Sequence, residues 1–152
     1  MNSNIEGVKI KQLTTHLTED GYFRELVRDE DNLLEKFGQS SISLAHPGFI
    51  KAFHYHLKQD DLWYIVSGQV RTVLYDTRKE SKTYKQTQVV IQGENDPKLV
   101  FIPKGVAHGY QVLGTKDAVL MYHTSAHYDP TDELRIAFDD KEIGFDWSIK
   151  NQ

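Results

Sequence analysis

No cysteine occurs in this sequence, which removes disulfides, thiolate nucleophiles and cysteine-ligated zinc from its chemistry. That fits a reducing compartment, and a cytoplasmic location is the expectation. The sequence also lacks any apolar run near the roughly 20 residues needed to cross a bilayer. Its start, Met1-Asn-Ser-Asn-Ile-Glu, has no basic segment followed by an apolar stretch. No membrane partner is therefore expected. Positive charge is in deficit, with 18 Lys and Arg against 22 Asp and Glu and a net charge of −4. Without a basic patch, nucleic acid is not an expected partner either. Helical periodicity of ordinary length is missing as well. Only Asn32 to Lys36 looks helical, and Pro130 to Leu134 reads as one helical turn. No repeat, linker or low-complexity stretch divides the 152 residues, so a single domain is expected, with its core over about 20–128 and an acidic tail over 129–152.

What the chain does contain is short apolar segments separated by Gly, Asp, Asn and Pro. An alternating Val8 and Ile10 and then Leu13 lead to a turn at Asp20-Gly21, which opens a strand through Val27. From Ser40 onward the spacing predicts strands at Ile42 to Leu44, Phe49 to His56, Leu62 to Val66 and Val70 to Tyr75. Further strands are predicted at Gln86 to Ile91, Leu99 to Ile102, Gly109 to Leu113 and Ala118 to Thr124. Many short strands with tight turns and no long helix predict an all-β antiparallel sandwich or barrel.

The densest chemistry lies between Gly48 and Gly68. Side chains alternate across a strand, so Ile50, Ala52, His54 and His56 are expected on one face, and Phe49, Lys51, Phe53 and Tyr55 on the other. Two imidazoles on one face can be catalytic bases, metal ligands or polar core residues. A second histidine element follows in Pro103-Lys-Gly-Val-Ala-His108-Gly.

These segments do not stand alone. Pro47-Gly48 through His54-Tyr55, Gln59 to Gly68, Tyr75-Asp76-Thr77-Arg78, Ile102 through Gly109, Leu120-Met121-Tyr122 and the closing Asp129-Pro130 through Asp146-Trp147 occur in one order. Together they resemble the dTDP-4-dehydrorhamnose 3,5-epimerase family, from about residue 20 to residue 147. The resemblance implies a cupin-type jelly-roll β-barrel, or double-stranded β-helix, usually paired as a homodimer. It implies an isomerase that epimerises a nucleotide-linked 4-keto-6-deoxy sugar without a cofactor, in rhamnose or cell-surface polysaccharide biosynthesis.

By the same resemblance, His54 is the general base and Tyr122 the acid across the sugar ring. His108 supports the base or the ketone, and Lys51 stands where the family has an arginine, as a point charge rather than a fork. Phe23 and Glu25 match residues that reach toward the nucleotide, in some members from the neighbouring subunit. His56 and Asp61 complete the expected substrate-binding set. The chemistry is consistent with this, because a ketone at C4 acidifies the hydrogens on C3 and C5. An imidazole titrates near neutrality, whereas a phenol with an ordinary pKa near 10 keeps its proton until an enolate takes it.

The chain departs from the family at three places. Asp61 replaces a lysine seven residues before Gly68, His56 replaces a glutamine, and the sequence stops at Gln152, before the region whose aspartate pairs with the histidine in longer relatives. Asp61 or His56 is expected to orient His54 instead, and without the aspartate a less basic His54 is expected. The same residues allow a second reading, a metal-dependent cupin in which His54, His56, Asp61 (or Asp60) and His108 hold a divalent transition metal. A sugar-binding relative without catalysis is the third.

The other histidines, His16, His46, His123 and His127, lack motif support, with His123 alternating away from Tyr122. Adjacent Trp63 and Tyr64 point opposite ways, one toward the core and the other toward an interface or ligand wall. Asp139 to Glu142 reads as a solvated turn.

Overall fold

Short strands with apolar faces must bury those faces against another sheet, and this chain does so with two antiparallel sheets closed into a barrel. The computed structural model describes residues 4–150. In chain order the strands are β1 (Lys9–Gln12), β2 (His16–Thr18), β3 (Gly21–Phe23), β4 (Gln39–Ala45), β5 (Ile50–Tyr55), β6 (Asp61–Ser67), β7 (Gln69–Asp76), β8 (Thr87–Gly93), β9 (Lys98–Ile102), β10 (Val106–Leu113), β11 (Ala118–Thr124) and β12 (Leu134–Arg135). One five-stranded sheet has the order β1-β9-β6-β11-β4, the other β12-β5-β10-β7-β8, and β2 with β3 forms a separate hairpin. This is an all-β antiparallel barrel, as the strand pattern predicts, and it has the jelly-roll form that the family resemblance implies.

Trp63, Ile65, Leu74, Val100, Val112 and Leu120 meet between the sheets. The outer faces are covered as well. Leu13, Leu26 and Leu33 lie over Leu62, Tyr64 and Leu99 of the first sheet, while Ile136, Ile143, Phe145 and Trp147 lie over Phe53, Val73, Tyr75 and Ala107 of the second. Strands buried on both faces need no polar alternation, which is why Leu62 to Ile65 is a continuous apolar run. It also settles Trp63 and Tyr64: the indole points inward, and the phenol packs under the N-terminal segment and accepts a hydrogen bond from Arg24 at 2.9 Å.

The core therefore extends beyond 20–128 at both ends. Ile5 is buried with the central cluster, and β1 pairs with β9 from Lys9 to Gln12. In the tail, the Trp147 indole donates to the Phe138 carbonyl at 2.8 Å, and its ring lies 5.6 Å from that of Phe53.

The helix expected at Asn32 to Lys36 does not form. A 3₁₀ turn lies just before it, at Asp29–Asp31, and Asn32 ends it in the left-handed region at φ 48°. Leu33 and Leu34 are drawn instead onto the outer face of the first sheet, where burial outweighs local helical preference. The turn expected after Asp129 is present as a 3₁₀ turn, Pro130–Asp132. No helix among the described residues is long and apolar enough to cross a membrane.

Two structural corners frame the barrel. Gly68 joins β6 to β7 at φ +80°, where a Cβ would stand 2.4 Å from the Asp117 carbonyl oxygen. Asp76, fully buried, accepts hydrogen bonds from Arg78 Nε at 2.8 Å, Ser81 Oγ at 2.6 Å and Thr83 Oγ1 at 2.6 Å. Burial alone would raise its pKa, but Arg78 and the two hydroxyls outweigh burial and hold the carboxyl at about 2. The Tyr75 to Arg78 motif is thus a structural corner.

Candidate active site

A cavity of about 240 Å³ opens between the sheets and is lined by Lys51, His54, His56, Asp61, His108 and Tyr122, together with Glu133 from the tail. Six of the eight residues expected at the site therefore converge on one space. Phe23 and Glu25 do not. Phe23 stands 59% exposed on the β2–β3 hairpin, and Glu25 pairs with Arg28 at 2.6 Å.

Strict alternation along β5 fails, for a visible reason. His108 pairs with His54, but two residues further along β10 Tyr110 pairs with Lys51, so three steps on β5 oppose two on β10. This bulge turns Lys51 and His54 to the same side. Ile50 and Ala52, expected beside His54, pack instead with the outer cluster around Phe53. Gly109 permits the close approach, because a Cβ there would stand 2.3 Å from that of Ala52. Lys51 Nζ donates to Ser43 Oγ and to the Leu44 carbonyl, both at 3.0 Å.

The partner of His54 is a residue that sequence reasoning missed. Its Nδ1 lies 3.3 Å from Glu133 Oε1. Neither Asp61 nor His56 takes the orienting role expected of them. β12 sets this geometry by pairing Arg135 with His54 and Leu134 with Tyr55. Asp132, one residue earlier, is spent accepting from the backbone N–H groups of Leu57 and Lys58 at 2.8 and 3.1 Å. The run of carboxylates after Pro130 was the available signal, but only the pairing shows which one reaches the imidazole. Burial lowers the pKa of His54 below 6.5, Arg135 acts in the same direction, and Glu133 opposes both. His54 thus holds a free lone pair at neutral pH, with Nε2 left for the cavity. For Glu133 burial acts upward, but Arg135 and His54 outweigh it and keep the carboxyl ionised.

His108 sits on the opposite flank of the bulge and is buried. Its Nδ1 donates to the Val106 carbonyl at 2.9 Å, and Nε2 lies 3.6 Å from Asp61 Oδ2. Burial pushes its pKa down, against the pull of Asp61. Asp61 accepts from Gln59 Nε2 at 2.8 Å and from Trp63 Nε1 at 3.2 Å. His56 Nδ1 donates to the Asp132 carbonyl at 2.7 Å. Of the four ligands in the metal reading, three assemble: His56, Asp61 and His108 place ligand atoms within 4.8 Å of one another. His54 turns to Glu133 instead, and Asp60 accepts from the Lys104 backbone N–H at 2.8 Å.

Tyr122 enters from β11 on the first sheet, on the same face as the lining residues Leu120 and Thr124. His123 faces away and meets the Phe37 ring edge at 6.0 Å. A second phenol, Tyr110, was not anticipated. It lines the same cavity, and burial raises its pKa, with Tyr122 adding to the shift. An unprotonated imidazole on one sheet and a phenol on the other can remove a proton from one face of a small substrate and return one to the opposite face.

The model of a family described as dTDP-4-dehydrorhamnose 3,5-epimerase matches residues 2–152. The chain is 54% identical over 148 residues to the spore coat polysaccharide biosynthesis protein SpsL of Bacillus subtilis strain 168, covering 96% of this chain and 98% of that protein. It is 30% identical over 151 residues to the probable low-salt glycan biosynthesis epimerase Agl13 of Haloferax volcanii, covering 97% of each. Among solved structures, the dTDP-6-deoxy-D-glucose-3,5-epimerase RmlC of Legionella pneumophila Philadelphia 1, in complex with dTDP-4-keto-L-rhamnose, superposes with a TM-score of 0.87. That likeness comes at 29% identity and covers 100% of this chain and 84% of that one.

Proposed function

Since the chain belongs to the dTDP-4-dehydrorhamnose 3,5-epimerase family, we propose that it epimerises a dTDP-linked 4-keto-6-deoxy sugar with His54 as base and Tyr122 as acid. The observation that carries this reading is the entry of the two side chains into one cavity from opposite sheets. His54 Nε2 takes the proton from the carbon beside the ketone, and the bonding pair moves into the enolate. Tyr122 then gives its hydroxyl proton to the other face of that carbon, and solvent restores both groups. Glu133 steadies the imidazolium that forms, and Lys51 adds positive charge to the cavity wall. A volume of about 240 Å³ falls below the roughly 300–1,000 Å³ of sites that enclose a whole drug-sized ligand. The sugar ring accordingly enters and the nucleotide lies along the mouth.

The β2–β3 hairpin supports a homodimer. It exposes Leu17 at 83%, Tyr22 at 56% and Phe23 at 59%, an apolar surface suited to a second copy whose nucleotide Phe23 and Glu25 would then reach. Light scattering in solution tests that arrangement by the mass it reads. We place the reaction in the cytoplasm and its product in polysaccharide assembly, as the relatives named for polysaccharide and glycan biosynthesis suggest.

The decisive experiment is proton NMR of dTDP-4-keto-6-deoxyglucose with the protein in deuterated buffer. Deuterium entering at C3, C5 or both is expected. A spectrum with no exchange above the protein-free control would end the epimerase reading.

A further inference from the structure

We propose that His56, Asp61 and His108 form a site for one divalent transition-metal ion on the buried wall of the cavity, with its free coordination positions facing the substrate space. Two imidazoles and a carboxylate, their ligand atoms within 4.8 Å of one another, are a donor set for zinc, cobalt, iron or nickel. Each histidine is already held in the tautomer that coordination requires. A carbonyl oxygen only accepts, so the hydrogen bonds to Val106 and Asp132 place the proton on Nδ1 of His108 and of His56. That leaves Nε2 of each ring as the ligand atom, the arrangement in which metal-bound histidines are usually oriented.

Asp61 is just as firmly placed. Its hydrogen bonds from Gln59 and Trp63 fix the carboxylate, and the Trp63 ring meets the His108 ring edge-on at 5.1 Å, so the two ligands share one wall. The separation of 3.6 Å between His108 Nε2 and Asp61 Oδ2 is too long for a hydrogen bond. With the His108 proton on Nδ1, it sets one acceptor against another where both side chains are only 5% exposed. A cation between them relieves that repulsion. Nitrogen and oxygen ligands about 2.0–2.2 Å from a tetrahedral zinc stand about 3.4 Å apart, so the pair closes on an ion with little movement. Charge balance points the same way. Of the two carboxylates in the lining, Glu133 is met by Arg135 at 3.5 Å, whereas Asp61 has no lysine or arginine beside it among the described residues, and Lys51 is the one fixed cation of the lining among them. Its ammonium is turned to Ser43 and Leu44. If the proposed epimerase reaction holds, the ion would polarise the substrate's keto oxygen; binding of the ion does not depend on that reaction.

The test uses the whole protein, stripped with a chelator, dialysed, titrated with Co²⁺ and read by visible absorption with Zn²⁺ as competitor. One equivalent of Co²⁺ should give the intense bands of a four- or five-coordinate site, displaced by Zn²⁺. Affinity should fall at least tenfold in His56→Gln and in Asp61→Asn, both checked for native fold by circular dichroism. A spectrum matching free aqueous cobalt, or binding that neither substitution weakens, overturns the proposal. Should Asp61→Asn not fold, the half-buried His56→Gln decides alone. The two readings fail separately. Cobalt bound at these residues with no deuterium exchange would keep the metal site and remove the epimerase, whereas exchange by a protein that binds no cobalt would do the reverse.

Discussion

His54 with Glu133 and His108 with Asp61 are the same two chemical groups in two settings of one cavity. The first pair is 3.3 Å apart with side chains 31% and 25% exposed, and its carboxylate comes from Glu133, the residue just before the short edge strand β12. The second is 3.6 Å apart, 5% exposed on each side, and built from the fully paired strands β6 and β10. A base must unload its proton at every turnover, which requires a route to solvent and a partner that tolerates both charge states. An anchor or ligand must instead keep one tautomer, which burial and a backbone carbonyl enforce. Surroundings rather than residue type set the two histidines apart.

Substitutions at the two pairs sharpen that contrast. The largest effect is expected for His54→Gln, which should lower the rate of deuterium exchange by about 10²–10⁴-fold, the usual worth of a positioned base, while leaving the fold intact. Tyr122→Phe comes next, with proton return lost by about 10²-fold and substrate affinity nearly unchanged, read by comparing turnover with equilibrium binding. His108→Gln should cost about 1–3 kcal/mol in urea unfolding because it disturbs buried hydrogen bonds, and should weaken cobalt binding as His56→Gln does. The acid limb of the rate profile should stay where it is; a displaced limb there would mean that His108, not His54, is the titrating base.

Smaller effects are expected at the groups that tune His54. Its folded pKa lies below 6.5, so the base form dominates at neutral pH and activity should be lost only as pH falls below that ordinary value. Glu133→Gln removes the group that raises this pKa. It should move the acid limb further down and reduce turnover about tenfold, as loss of an orienting partner commonly does. Arg135→Ala removes a lowering charge and should move the limb upward, the smallest change and the one of opposite sign. Both shifts are read from kcat/KM against pH, and shifts in the same direction would break the assignment of Glu133 and Arg135 as opposing influences.

The strands from β4 to β11 were legible because each is a short apolar or alternating run bounded by Gly, Asp, Asn or Pro. The family resemblance also named Lys51, His54, His56, Asp61, His108 and Tyr122, all of which line one cavity. The side of β5 on which Lys51 lies was not legible, because the bulge opposite Gly109 depends on how two distant strands pair. Nor was Glu133. Its pairing with His54 spans about half the chain and rests on a two-residue strand with no periodicity of its own. At Leu33 and Leu34 a local helical preference lost to an apolar face elsewhere in the chain.

By itself, then, the sequence determined the fold class, the strand order along the chain, and the imidazole and phenol available for proton transfer. Fold class and strand order follow from side-chain type and period, which are local, whereas His54 and Tyr122 were singled out by the family resemblance. Tertiary structure alone decided which carboxylate serves which histidine, which face Lys51 takes, and that His56, Asp61 and His108 stand together while His54 stands apart. These depend on strand register and bulges, where a shift of one residue exchanges the two faces of a sheet.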